Sequence, residues 1–219
     1  MRWIFGGHVF SGSVRPGPLY SRSVTERGRE SVRRFQRLGV LAIDRNRTDW
    51  TYAIQDGLET FVHTKDFGND HLIDFWQLLQ SGLFFHRTAL RPFSIKDGSE
   101  TRCIANAHDI AIYVDEAIHC LTRLYEGLID EQDEVSATIR LIQAGDRLLY
   151  FPNTLWRPFD ICRIPEIAVE RRRPLADWRA AIADHALDML KDIYQRFNWT
   201  TPDLDIPRRT IDKLFARRW

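Results

Sequence analysis

The chain has 219 residues, 44% hydrophobic and 12% aromatic, with 31 Lys+Arg against 30 Asp+Glu for a formal charge of +1. That apolar supply suits one large domain, or one domain with a small appendage, and excludes general disorder. No run approaches the roughly 20 apolar residues that span a bilayer. The opening MRWIFGGHVF is short for a signal peptide, and three cysteines (Cys103, Cys120, Cys162) without a C-x-x-C pair argue against a disulfide framework or zinc finger. These features predict a reduced, cytoplasmic setting with no membrane contact.

Charge is unevenly spread. Residues 1–47 hold ten arginines against Glu26, Glu30 and Asp44, an excess of seven positive charges that leaves the remainder at −6. Within that remainder, residues 97–134 carry ten carboxylates against Arg102 and Arg123. Such a division fits a nucleic-acid surface, or two parts of one fold that attract each other. The chain is therefore divided into a basic N-terminal segment, 1–47, and an α+β domain, 48–219, with continuity between them left open.

Along the chain, Arg2–Phe10 reads as a short strand or loop, followed by a turn-rich stretch. Ser23-Val24-Thr25-Glu26 has capping-box spacing before a helix that shows Val32, Phe35 and Leu38 on one face and stops at Gly39. Val40–Ile43, Trp50–Ile54 and Leu58–Thr64 read as extended, and Asp56-Gly57 between apolar-alternating runs predicts a hairpin. His71–Gln80 reads as a helix, capped by Asn69 or Asp70 and stopped at Gly82. Leu83–Ile95 is extended and broken at Pro92, and Asp97-Gly98 is a turn.

The clearest helix is Asp109–Glu126, where Ile110, Val114, Ala117, Ile118, Leu121 and Leu124 follow the i, i+3, i+4, i+7 rule. Val135–Ile142 and Arg147–Phe151, around Ala144-Gly145-Asp146, read as a second hairpin. Ile164–Arg171 is a further strand. Pro174 opens a long helix striped with Trp178, Ile182, Ala186, Met189, Leu190 and Ile193, and a last helix follows Asp205 and Pro207. The order predicts an α+β fold with a largely antiparallel sheet of two hairpins plus extra strands, packed by long amphipathic helices.

Four kinds of chemistry are weighed against structural alternatives. His63, His71 and Asp74, with Asp66 and Asp70, offer imidazole and carboxylate ligands for a metal-dependent hydrolase; the helix reading puts His71 and Asp74 on one face. The competing reading is a capped, solvated helix start. His108-Asp109 is the adjacent pair used by metal-dependent phosphohydrolases, but that family is helical, and a cap at Asn106 with Asp109 at the positive helix end explains the residues more simply. His119-Cys120 are neighbours pointing about 100° apart on a helix, poor geometry for thiolate and base. Asp115, His119 and Arg123 read as a solvated stripe. No G-x-S-x-G, G-x-x-x-x-G-K-[ST] or G-x-G-x-x-G is present, and no cofactor is expected.

The basic helix is the strongest positive feature. Arg27, Arg29, Arg33, Arg34 and Arg37 can neutralise several phosphates or meet an acidic partner, although Glu26 and Glu30 make part of the pattern ordinary i, i+3 and i, i+4 pairing. Arg171–Arg173 and the basic residues from Arg208 to Arg218 are weaker copies. Of seven tryptophans, Trp50, Trp76 and Trp178 read as core, while Trp3, Trp156, Trp199 and Trp219 flank turns or termini and are interface candidates.

The run Trp50-Thr51-Tyr52-Ala53-Ile54-Gln55-Asp56-Gly57-Leu58-Glu59 resembles an aromatic–strand–Gly–x–Glu hairpin found downstream of Schlafen/AlbA-like DNA-binding domains in bacterial proteins. The later order is similar too: a helix at 109–128, a strand at 135–142, Gly145, Leu148–Phe151, and Pro165-Glu166-Ile167-Ala168-Val169-Glu170 before a long helix. The resemblance covers about residues 50–200. It implies an accessory region that accompanies a nucleic-acid-binding module and carries no catalytic residues of its own; the DNA-binding domain itself has no counterpart in the sequence. The resulting expectation is a non-catalytic binding or regulatory module acting through a protein partner or homo-oligomer, with nucleic-acid binding through the arginine helix as the alternative.

Overall fold

The computed structural model describes residues 2–10, 51–54, 57–64, 72–79, 82–89, 93–97, 99–151 and 161–218. The segment expected to form the arginine helix and Val40–Ile43 fall outside them. Alternating Val135, Ala137, Ile139 and Leu141 place one apolar face along β8 (Glu134–Ile142), and Ile167 and Val169 extend it onto β10 (Glu166–Pro174). The other strands of this sheet are β1 (Arg2–Phe10), β2 (Thr51–Ile54), β3 (Gly57–Thr64), β4 (Leu72–Leu79) and β5 (Phe84–Ala89). Their order is β10-β8-β1-β5-β4-β3-β2, with every neighbouring pair antiparallel. A second sheet joins β6 (Phe93–Asp97), β7 (Glu100–Asn106) and β9 (Leu148–Tyr150) in the order β6-β7-β9.

Four helices accompany these strands among the described residues: α1 (Ala107–Tyr125), α2 (Leu175–Ala180), α3 (Ile182–Gln195) and α4 (Asp205–Arg218). The fold is α+β, as the element order predicts. Helix α1 starts where the Asn106 side chain accepts from the His108 N–H at 3.0 Å. It ends where Gly127, at φ +72°, turns the chain and Leu128 N–H bonds back to the Tyr125 carbonyl. Its apolar stripe, with Ile110, Val114, Ile118 and Leu121 fully buried, packs between the sheet and the Met189, Leu190 and Ile193 face of α3.

The first hairpin expectation and the turn expected at Asp97-Gly98 both hold. Ile54 pairs with Gly57 and Asp97 with Glu100, each across a two-residue connection. The second hairpin expectation does not: β8 pairs with β1 and β10, whereas β9 runs parallel to β7 in the other sheet. The turn at Gln143–Asp146, both at φ 59°, bends the chain out of one sheet and into the other.

Residues 72–79 are a strand and not the predicted helix. Both edges of β4 are taken by ladders, to β3 and β5, and Gly82 at φ 81° shapes the β4–β5 turn instead of stopping a helix. The long helix after Pro174 is also interrupted. Ala181, at φ −147° and ψ 52°, leaves helical geometry and separates α2 from α3.

Candidate functional site

The arginines of 171–173 are consumed inside the fold. Arg171 donates to Asp188 and Asp192 of α3, each at 2.7 Å, and Arg173 lies 3.6 Å from Asp188. Arg172 pairs with Glu134 across to β8 at 2.5 Å, pointing to the other side of the sheet as strand alternation requires. The Arg171 guanidinium, hydrogen-bonded to it, holds the Asp188 carboxyl below the usual carboxylate range. Arg179 pairs with Glu126 and Glu131, and Arg208 with Asp184. Part of the acidic middle is thus neutralised by the C-terminal third of the chain.

The helix expected to put His71 and Asp74 on one face is instead a strand over Leu72–Leu79. In the β3–β4 ladder His63 pairs with Ile73 and Asp74 with Val62. His71, Asp66 and Asp70 lie outside the described residues, among which no group of three or more metal-ligating side chains converges. His108 serves the helix: its N–H meets the Asn106 cap, and its Nδ1 lies 2.6 Å from Thr210 Oγ1 of α4. Cys120 is buried, which pushes its thiol up and away from the reactive thiolate.

The stripe Asp115–His119–Arg123 is not uniformly solvated. Asp115 is 1% exposed, with His119 Nε2 3.9 Å from its carboxylate, and only Arg123 is exposed. Among the interface tryptophans, Trp199 is half-buried inside the fold, its ring 5.8 Å from Tyr194 at 22° and 5.2 Å from Phe151. Trp3 occupies a β1 position paired with Thr88 and Leu141. Arg27, Arg29, Arg33, Arg34, Arg37, Trp156 and Trp219 lie outside the described residues. Trp178, read as core, is fully buried.

The large sheet has two different faces. One packs the helices: Val135, Ala137, Ile139, Leu141, Ile167 and Val169 join the core there, and His86 Nδ1 meets Tyr113 Oη of α1 at 2.9 Å. The outer face, set by the alternate residues, has an ionic half and an aromatic half. On β8 and β10, Arg140 pairs with Glu166, and Ser136 donates to Glu170 at 2.8 Å.

On β3, β4 and β5, the register puts Glu59 beside Gln77 and Gln77 beside Phe85, with Phe75 beside Arg87 one row along. Phe75 and Phe85 meet edge to face at 6.0 Å, and Gln77 donates to Glu59 at 2.9 Å. All five side chains are half-buried. A strand over 72–79, beside the extended 83–95, brings Phe75 with Gln77 and Phe85 with Arg87 at i, i+2 spacing.

No family model matches the chain, and neither a curated protein nor a solved structure does. Among the described residues, no helix is long and apolar enough to cross a membrane.

Proposed function

We propose that the chain is a non-catalytic binding module that works through a protein contact on the outer face of its large sheet. The observation that supports this is the half-buried Phe75–Phe85 pair, flanked by Gln77, Glu59 and Arg87, on the side opposite the packed helices. Aromatic and arginine side chains contribute most per residue at protein interfaces, and a polar surround supplies register. The resemblance to an accessory region fits the same reading, since such a region acts by contact. Nucleic acid is less favoured because Arg171, Arg172 and Arg173 already answer carboxylates of this chain.

The test is a photo-cross-linking residue placed at Gln77, with a control at exposed Arg209 of α4. The expected result, in cells, is a discrete protein adduct from the Gln77 position and none from Arg209. Equal labelling at both positions, no adduct at either, or recovery of nucleic acid from the Gln77 position refutes the reading.

A further inference from the structure

Arg87 and Glu59 pose an electrostatic question within the outer face. Both are half-buried; Glu59 accepts from the neutral Gln77 amide, and Arg87 makes no ion pair among the described residues. A partly desolvated guanidinium and a partly desolvated carboxylate on one face each gain from an opposite charge brought by a partner. They stand two strands and two residues apart, Arg87 in the Phe75 row of β5 and Glu59 in the Gln77 row of β3. Strand spacing and rise make that about 12 Å between Cα atoms, on a diagonal that crosses β4 between Phe75 and Gln77.

That placement is self-complementary. An in-plane two-fold axis crossing β4 between Phe75 and Gln77, perpendicular to the Arg87–Glu59 diagonal, exchanges the two positions. By the same spacings Phe75, Gln77 and Phe85 lie within about 2 Å of the axis, so each meets its own counterpart. The result has an aromatic centre with an ion pair on either side, the usual anatomy of a specific interface. A formal charge of +1 on the chain leaves little repulsion between copies.

Resting on the binding-module reading, we propose that the partner is a second copy of this chain, seated face to face with Arg87 of each copy against Glu59 of the other. The test is sedimentation of the full chain from low micromolar to several hundred micromolar concentration. The expected wild-type result is a mass reaching twice that of the chain. Arg87→Glu and Glu59→Arg each raise the dissociation constant about tenfold or more, and the double exchange recovers most of the loss. Circular dichroism and thermal unfolding check that each variant folds; if one single variant does not, the other with the double exchange decides.

A wild-type chain that stays monomeric, or a double exchange no tighter than either single one, overturns the proposal. If the chain is monomeric while the Gln77 position cross-links a different protein, the second copy is refuted and the binding module stands.

Discussion

Replacing Trp178 with phenylalanine tests how α2 is tied to the sheet. Trp178 is fully buried, its Nε1–H donates to the Val135 carbonyl at 3.0 Å, and its ring lies 5.1 Å from His185 in an edge contact. Phenylalanine keeps the stem and six-membered ring but loses two carbons and the N–H. At about 0.8 kcal/mol per buried carbon the lost burial amounts to about 1.6 kcal/mol. The lost hydrogen bond adds about 0.5–1.5 kcal/mol, since the Val135 carbonyl is left without this donor in a dry site. The sum is about 2–3 kcal/mol, which at about 2–3 kcal/mol per molar for a chain of this size lowers the urea midpoint by about 1 M. Equilibrium unfolding followed by far-ultraviolet circular dichroism reads this directly. A shift below about 0.3 M, with an unchanged slope, would refute the packing described for α2.

Asn106→Ala removes the α1 cap and is expected to cost about 1 kcal/mol in the same urea experiment. Asp188→Asn breaks the contact to Arg171. Because the native carboxyl lies below its ordinary value of 3.8, the wild-type advantage is full above about pH 5, shrinks as pH falls through that range, and vanishes below the native value. The Asp188 side chain is 43% exposed, so salt also reduces that advantage, and pH- and salt-dependent melts of both proteins check it. A thiol reagent at neutral pH is expected to modify exposed Cys103 first, with buried Cys120 and Cys162 reacting only on unfolding; mass spectrometry of the quenched time course decides.

Features carried by neighbouring residues were legible in the sequence. The Asp56-Gly57 hairpin and the Asn106 cap each depend on a few consecutive residues, and both appear where expected. Pairings chosen by distant partners were not legible. The turn around Gly145 carries good hairpin chemistry, yet β8 finds its partners in β1 and β10, and the apolar face of β10 continues its own. Leu72-Ile73-Asp74-Phe75-Trp76-Gln77-Leu78-Leu79 satisfies a helical stripe and a two-sided strand equally well, and only ladders on both edges settle it.

A helix over these residues would separate Phe75 from Gln77, which share a side only on a strand. Asp115 shows a different limit. Its i, i+4 spacing to His119 looks like surface pairing, and its burial follows from which neighbours close over that side of α1.

The position of β1 shapes how the molecule must be made. It precedes both neighbours in the chain, yet it sits between β5 and β8, whose partners for Arg2 are Ala89 and Ile142. Until β8, which begins about 124 residues after β1 ends, has been made, β1 lacks one flank, and β8 then awaits β10. Sheets closed by such long-range pairing pay chain entropy before contacts accumulate, and they fold in milliseconds to seconds instead of microseconds. An early strand waiting with bare edges is also the segment most open to capture by another nascent chain or to protection by a chaperone.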